Sequence, residues 1–391
     1  MQSKTARQPP DITEEDLSRW RLVEAFHARL ASAADRRPLA PGWAHPRRTL
    51  GYDDYLSLFL FGLFNPVVRT MRGLCAASRL ARVQREVCTR PVSLGSFSEA
   101  QSLLDPTLLP EVFAGLSQEL AGRSIGVSSR RWLIQDSSLF EALPRMYWAL
   151  WRRQGQAQAQ VRLHLSLDMT SGSPARASVT PGRVCERAAW RGHWQRGDGY
   201  VGDRYFGEDY GLFQELTQAG VVFVVRLREE AVITELEELE LSAADRQAGV
   251  IRSAWVQLGH RASCRSGRLR IVWVQIQGEV LVLVTNLATD ELSALEVALL
   301  YKQRWQIELF FRWIKCVLGC RHWLAESPRG TAIQLYLALI AALLLQLYNG
   351  ERPNRRMFEL IQFYLLGVAS LEELSAGLQR ERDALARRKK S

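Results

Sequence analysis

The chain has 391 residues, of which 47% are hydrophobic and 24% charged, a composition typical of soluble globular proteins and unlike that of disordered chains. Its length exceeds that of a typical single domain, so we expect one large core with appendages, or two to three domains. The net charge of +10 and the pI near 9.6 indicate a polyanionic partner, of which nucleic acid is the commonest.

The first 227 residues predict a helical region followed by a mixed α/β core. Residues 1–20 predict a loose polar arm, and residues 21–130 predict helices. Runs that are apolar, or alternate between apolar and polar residues, then predict strands at 131–140, 161–169, 175–180, 198–207 and 221–227. Helices are expected in 182–194 and 208–220. This order of strands and helices is typical of a mixed α/β fold.

The second half predicts a β-rich segment between two helical ones. The acidic stretch at 234–246 is interpreted as a solvated amphipathic helix. Three β-rich runs, at 250–258, 268–277 and 279–287, predict a small antiparallel sheet inserted before a long helix at about 291–318. After Gly330 the chain is predicted to be helical up to its basic end.

Cysteine usage and hydropathy indicate a cytoplasmic location. The six cysteines contain no CxxC pair and have no histidine at zinc-finger spacing, so we expect free thiols in a reducing cytoplasm. The N-terminal segment lacks the apolar stretch of a secretion signal. The longest apolar run, 337–348, is too short to span a bilayer and predicts a core helix, so no membrane partner is expected.

One polar stripe on the predicted long helix has two interpretations. At about 100° per residue, Tyr301, Arg304, Glu308 and Lys315 share a stripe about 60° wide, while aromatic and aliphatic residues cover most of the remaining surface. The stripe can be a row of salt bridges, with Glu308 paired to Arg312 at i,i+4. Alternatively, Glu308 is an acidic catalytic group flanked by phosphate-binding cations.

Two aspartates at predicted strand ends favour the catalytic interpretation. Asp136 and Asp203 would converge with Glu308, because carboxyl ends of neighbouring strands in an open α/β sheet meet at the usual site position. Three carboxylates can hold two Mg²⁺ or Mn²⁺ ions, which prefer oxygen ligands and promote phosphodiester chemistry. Most aspartates at strand ends are caps or turn residues, however, so spacing alone leaves both interpretations open.

The same residues resemble a known signature. The spacing of Tyr301, Arg304, Glu308 and Lys315 matches the Tyr-Arg-Glu-Lys signature of DDE transposases of the bacterial insertion-sequence-four family. IQDSS around Asp136 resembles the first aspartate motif of that family, and GDRYFG around Asp203 resembles the second. The second motif commonly reads Asp-Arg-Gly-Tyr, whereas here the glycine is displaced to position 207. The resemblance covers roughly residues 90 to 350.

The resemblance implies a fold and a set of functional residues. It implies an RNase H-like catalytic core of mixed sheet, interrupted by a β-rich insertion, with helical regions at both chain ends. Asp136, Asp203 and Glu308 would be catalytic and would bind two Mg²⁺ or Mn²⁺ ions. Tyr301, Arg304 and Lys315 would contact double-stranded DNA, chiefly its phosphates. A homodimer that bridges two element ends is also implied.

The expected domain organisation follows from these assignments. It comprises a helical DNA-end-binding region (1–130), the first part of the core (131–227), the β-rich insertion (228–287), the second part of the core with the glutamate helix (288–330), and a helical C-terminal region with a basic tail (331–391).

Several other residues are weaker candidates. Asp168 is expected to have a structural role and Asp198 to form a turn, and His193 is not required for two-metal phosphoryl chemistry. Trp255 and Trp273 could stack on a flipped base, but tryptophans in alternating strands are more often core residues.

The expected function is therefore DNA transposition in the bacterial cytoplasm, at the nucleoid. Metal-activated water would cut the element end, and the freed 3′-hydroxyl would attack target DNA. Two alternatives stay open: a catalytically inactive DNA-binding protein derived from a transposase, and a metal-dependent nuclease without strand transfer.

Overall fold

The computed structural model describes residues 21–36, 40–123, 130–153, 156–191, 193–259, 266–276, 278–316, 318, 322–350, 352, 354–366 and 368–390. The predicted polar arm, Cys264 and Cys320 lie outside these residues. Cys75, Cys88 and Cys185 are free thiols, as expected.

The chain divides into two compact units. One, the helical unit, contains Met1–Arg123, Phe140–Val161 and Arg312–Ser391; the other, the sheet unit, contains Ser124–Leu139 and Arg162–Phe311. The helical segments at the two ends of the chain thus belong to one unit. The five segments expected from the sequence, with their boundaries, stay a prediction.

The helices of the described residues are α1 (Arg21–Asp35), α2 (Tyr52–Phe64), α3 (Met71–Ala77), α4 (Ala81–Glu86), α5 (Leu94–Leu103), α6 (Leu108–Arg123), α7 (Glu186–Trp190), α8 (Tyr210–Gln218), α9 (Ala243–Gln247), α10 (Ala294–Lys302), α11 (Trp305–Cys316), α12 (Pro328–Asn349), α13 (Arg355–Leu365) and α14 (Leu371–Lys390). The strands are β1 (Trp132–Glu141), β2 (Leu150–Arg153), β3 (Gln156–Asp168), β4 (Pro174–Pro181), β5 (Gly199–Gly202), β6 (Val222–Arg226), β7 (Ile233–Glu238), β8 (Val250–Leu258), β9 (Leu269–Ile276) and β10 (Glu279–Thr285).

The helical unit is built around α12. The Ser327 side chain caps its start by accepting from the Gly330 N–H, and Gly350 ends it in the left-handed conformation that glycine adopts without strain. α1, α2, α5 and α6 pack against it. Among the described helices, α12 is the one whose length and composition would allow it to cross a membrane, but it is largely buried inside the protein. This burial agrees with the predicted core helix.

The sheet unit contains a mixed sheet with the strand order β3-β1-β5-β6-β10-β9-β8-β7, and β4 also pairs with β3. β1, β5 and β6 are parallel, whereas β10 and the strands beyond it pair antiparallel. Helix α8 covers the parallel part, where Phe213 stacks on Phe223 with ring centroids 4.8 Å apart. The expected mixed α/β fold, with a mixed sheet and helical regions at both chain ends, is confirmed.

The structure corrects three expectations about the second half of the chain. The acidic stretch does not form one helix: it begins as the edge strand β7, whose Glu235 and Glu238 form ion pairs with Arg252 of β8. The β-rich insertion is not a separate sheet, because β10 pairs directly with β6. The predicted long helix is divided into α10 and α11.

Candidate active site

Asp136 in β1 and Asp203 directly after β5 lie at the same level of two neighbouring parallel strands. The pairing of β1 with β5 ends with Ile134 opposite Val201, and Asp136 and Asp203 each lie two residues beyond this pair. Residues two apart in a strand point to the same face, and paired strands are about 4.8 Å apart. The register therefore brings the two carboxylates together. Asp136 does not lie at the end of its strand as expected, because β1 continues to Glu141 after this pairing stops.

Local contacts fix both aspartates. Asp136 Oδ1 accepts a hydrogen bond from the Ser137 N–H at 2.7 Å, and Asp203 Oδ1 accepts one from the Tyr205 N–H at 2.9 Å. The turn after Asp203 also packs tightly, since a Cβ on Gly207 would overlap the carbonyl oxygen of Arg226 at the end of β6. The displaced glycine of the second motif thus has a structural function in this chain.

The third carboxylate, Glu308, lies on α11 just after the break in the predicted long helix. The break is a tight turn with i→i+3 hydrogen bonds, such as that from the Ile307 N–H to the Arg304 carbonyl. Arg304 Nη2 donates to Glu308 Oε1 at 2.6 Å. Glu308 is therefore paired with Arg304, not with Arg312 as the salt-bridge interpretation supposed, and Arg312 is exposed.

Electrostatic coupling links the three carboxylates. The pKa of Asp136 is raised to about 7, first by burial, then by the charge of Asp203 and more weakly by that of Glu308. The Ser137 N–H and the charge of Arg304 act in the opposite direction on this pKa. The charges of Asp203 and Glu308 act on Asp136 in this way only over short distances, so the three carboxylates share one site.

Tyr301 and Arg304 belong to the same site, whereas Lys315 belongs to the helical unit. Tyr301 is buried, and its ring centroid lies 5.9 Å from the Arg304 guanidinium carbon. Burial raises the pKa of Tyr301, and the positive charges of Arg304 and Arg226, which lower this pKa, offset the effect only in part. Lys315 Nζ lies 4.9 Å from the ring centroid of Phe140 in its own unit.

A fourth carboxylate, Glu186, is buried and adjoins the two aspartates. It is 7% exposed, and its Oε2 accepts a hydrogen bond from Ser137 Oγ at 2.9 Å. Its pKa is raised to about 8, first by burial and then by the charges of Asp136 and Asp203. The sequence predicts a helix here but not this position beside the aspartates, because a glutamate at the start of a helix is usually a solvated residue that interacts favourably with the helix dipole.

The weaker candidates have structural contacts instead. Asp168 accepts hydrogen bonds from Arg131 Nε at 2.7 Å and from two backbone N–H groups of the turn that follows it. Asp198 is paired with Arg176 at 2.8 Å, at the opposite end of β5 from Asp203. His193 is exposed. These contacts agree with the structural roles expected for the two aspartates.

The two candidate tryptophans do not form one stacking surface. Trp273 lies opposite Arg252 and Trp255 opposite Arg270 in the β8–β9 register, which places the tryptophans on opposite faces of the sheet. Trp273 packs under the Arg252 guanidinium at 5.2 Å, and Trp255 under that of Arg268 at 4.6 Å. Both rings already have cation–π partners.

The carboxylates fit a hard divalent cation by their chemistry. Among the described residues, no group of three or more histidine, cysteine or acidic side chains lies close enough together in this structure to hold a metal ion. The donors at Asp136, Asp203, Glu186 and Glu308 are all carboxylate oxygens, the ligands that Mg²⁺ and Mn²⁺ prefer. Burial and mutual repulsion raise the pKa of Asp136 and of Glu186, and a bound cation would relieve this repulsion.

Comparisons with known proteins agree with the motifs. The sequence profile of the transposase DDE domain matches residues 128–344. The chain is 27% identical over 227 residues to the putative transposase y4zB of Sinorhizobium fredii, covering 57% of this chain and 62% of that one. It is 26% identical over 224 residues to a probable transposase for insertion sequence element IS5377 of Geobacillus stearothermophilus, covering 54% of each chain.

These relatives are matched over only part of their lengths, 62% and 54% respectively. Among solved structures, the chain is similar to the piggyBac transposase synaptic complex with hairpin DNA, with a TM-score of 0.44 and 11% identity over 96% of this chain and 84% of that one.

Proposed function

Because the chain belongs to the transposase DDE domain family, we propose that it is an insertion-sequence transposase. It cuts DNA at the ends of its element and joins the freed 3′ ends to target DNA. The observation that supports this proposal best is the electrostatic coupling of Asp136 with Asp203 and Glu308 in one partly buried site.

Asp136, Asp203 and Glu308 would hold two Mg²⁺ or Mn²⁺ ions. When bound, such a pair stabilises the attacking and leaving oxygens of a phosphodiester displacement. The register of β1 and β5 orients the two aspartates, and α11 supplies the glutamate.

The reaction has two steps of the same kind. In the first, a water oxygen bonds to the phosphorus at the element end, the bond from phosphorus to the 3′ oxygen breaks, and a 3′-hydroxyl is released. In the second, this 3′-hydroxyl oxygen attacks a target phosphorus, and the target's own 3′ oxygen leaves. One site performs both steps, because both displace a 3′ oxygen from phosphorus.

Tyr301, Arg304 and Lys315 would bind DNA phosphates. Arg304 can grip a phosphate bidentately by exchanging its bond to Glu308. Tyr301, whose pKa is raised further above the ordinary value of 10, is protonated at neutral pH like any tyrosine, so its hydroxyl can donate a hydrogen bond. Lys315 contributes a point charge.

The partners follow from charge and family. The net charge of +10 favours double-stranded DNA, both element ends and target. The helical region 1–130 and the basic tail would recognise the ends, and a homodimer would bridge two of them. The protein would act in the bacterial cytoplasm, at the nucleoid.

The test is a strand-transfer assay with labelled element-end DNA, Mg²⁺ and a target plasmid. We expect joined product from the wild-type protein and none from Asp136→Asn or Glu308→Gln. Asp198→Asn is the matched control, because Asp198 lies at the other end of β5 and is paired with Arg176. Cleavage without end preference would favour the nuclease alternative, and binding without cleavage the inactive DNA-binding protein.

A further inference from the structure

Glu186 is tied to the segments that carry both aspartates. Its Oε2 accepts from Ser137 Oγ at 2.9 Å, and Ser137 directly follows Asp136. The flanking residues of Glu186 contact Tyr205, in the turn after Asp203: Cys185 Sγ lies 3.0 Å from its hydroxyl, and Arg187 Nη1 donates to its carbonyl at 3.2 Å. The start of α7 is thus fixed against both aspartate segments.

Arg162 sets the direction of the hydrogen bond to Glu186. Its Nε and Nη2 donate to the Gly182 carbonyl at 3.3 and 3.2 Å, which orients the guanidinium so that Nη1 donates to Ser137 Oγ at 2.8 Å. Because Ser137 Oγ accepts this bond, its own proton is directed to Glu186 Oε2. One oxygen of Glu186 is therefore held by a defined chain of donors.

The other oxygen, Oε1, is buried and has no hydrogen-bond partner among the described residues. A buried carboxylate oxygen without a partner is costly, and proteins usually compensate such a group with a donor or a cation. The charges that act most strongly on Glu186 are negative, those of Asp136 and Asp203, and Arg162 opposes them only in part.

We propose that Glu186 is a fourth carboxylate of the site, whose Oε1 binds a divalent cation together with the side chains of Asp136 and Asp203. This inference rests on the proposed function, since it assigns Glu186 to the same cation site. Ser137 and Arg162 are then positioning residues that hold the glutamate in place for the cation.

The test measures Mn²⁺ binding by the full-length protein, from the loss of the electron paramagnetic resonance signal of free Mn²⁺. Glu186→Gln should raise the Mn²⁺ dissociation constant by at least about tenfold. Glu208→Gln should leave it unchanged, because the Glu208 carboxylate already faces Arg187 and Arg228. Melting temperatures without metal show whether each variant is folded.

Glu186→Asp keeps the charge but retracts the carboxylate by one methylene, and it covers the case in which Glu186→Gln does not fold. It should also weaken Mn²⁺ binding. A folded Glu186→Gln or Glu186→Asp protein with wild-type Mn²⁺ affinity would overturn this inference. The proposed function would survive that result if Asp136→Asn still abolished binding. If the wild-type protein bound no Mn²⁺ at all, the proposed function itself would fail.

Discussion

Arg304 has two electrostatic contacts in the candidate active site. It donates to Glu308 at 2.6 Å, and its charge lowers the pKa of the neighbouring Asp136. A partly exposed ion pair contributes at most about 1 kcal/mol to stability, so we expect Arg304→Gln to change the free energy of unfolding by less than that. Strand transfer should fall about 100-fold, the typical cost of losing a group that stabilises transition-state charge.

The control is Arg312→Gln, on the exposed side of α11. It should affect neither unfolding nor strand transfer. Equal losses of activity in both variants would indicate a general requirement for positive charge on α11 instead of a specific contact of Arg304.

His164 predicts a pH dependence of stability. It is fully buried, its Nε2 lies 2.9 Å from Thr180 Oγ1, and burial together with the charge of Arg162 lowers its pKa from 6.5 to about 4. Between these two pH values the unfolded chain binds a proton that the folded protein does not. Stability should therefore fall as the pH decreases from 6.5 to 4, by at most about 3 kcal/mol from this group.

Denaturant unfolding at pH 7 and pH 4, compared between wild type and His164→Gln, isolates this contribution from that of the carboxylates. The variant should lose less stability than the wild type over this range. An identical loss in both proteins would show that His164 titrates normally.

The residues of the candidate site that carry a signature are recognisable in the sequence, but those that depend on folding are not. The spacing of Glu308 from Tyr301 and Arg304 is local and therefore visible in the sequence. The role of Glu186 depends on burial beside Asp136, which lies 50 residues earlier in the chain. No local pattern distinguishes this glutamate from a solvated one at the start of a helix.

At the scale of elements, the parallel pairing of β1 and β5 determines where the aspartates lie. Gly199 lies opposite Trp132 in this pairing, and a Cβ at Gly199 would come within 2.5 Å of the Trp132 ring. Gly199→Ala should therefore displace β5 from β1 and cost about 1–3 kcal/mol of stability. Because Asp203 follows β5, DNA cleavage should also decrease.

Gly267→Ala is the control, since a Cβ at Gly267 would meet nothing within 4 Å. Chemical denaturation and a cleavage assay on both variants test the prediction. A Gly199→Ala protein with wild-type stability and activity would show that the aspartates do not depend on this close packing.

Two elements were predicted wrongly because their sequence patterns are compatible with two different structures. The glutamates at 234–246 suit a solvated helix, but in the fold Glu235 pairs with Arg252 of β8. Glu237 pairs with Arg268, which directly precedes β9, and the first part of the acidic stretch is the edge strand β7. The apolar run through 291–318 suits one helix, and the tight turn at Gln303–Arg304 that divides it has no glycine or proline to announce it. In both cases tertiary contacts outweigh local propensity.

At the scale of the whole molecule, the proposed function requires a basic protein to bind DNA largely through phosphate contacts. Affinity for element-end DNA should therefore fall linearly with salt concentration on a double-logarithmic plot.

Lys315 is one of the proposed phosphate contacts, so Lys315→Gln should reduce the slope of this plot by about one and weaken binding to every DNA sequence alike. Lys302→Gln removes the same charge from the exposed end of α10, outside the signature, and should leave the slope unchanged. Fluorescence anisotropy titrations over a range of salt concentrations measure both slopes. Equal effects of the two substitutions would mean that Lys315 acts only through the overall charge, and no effect of either would remove it from the proposed DNA contacts.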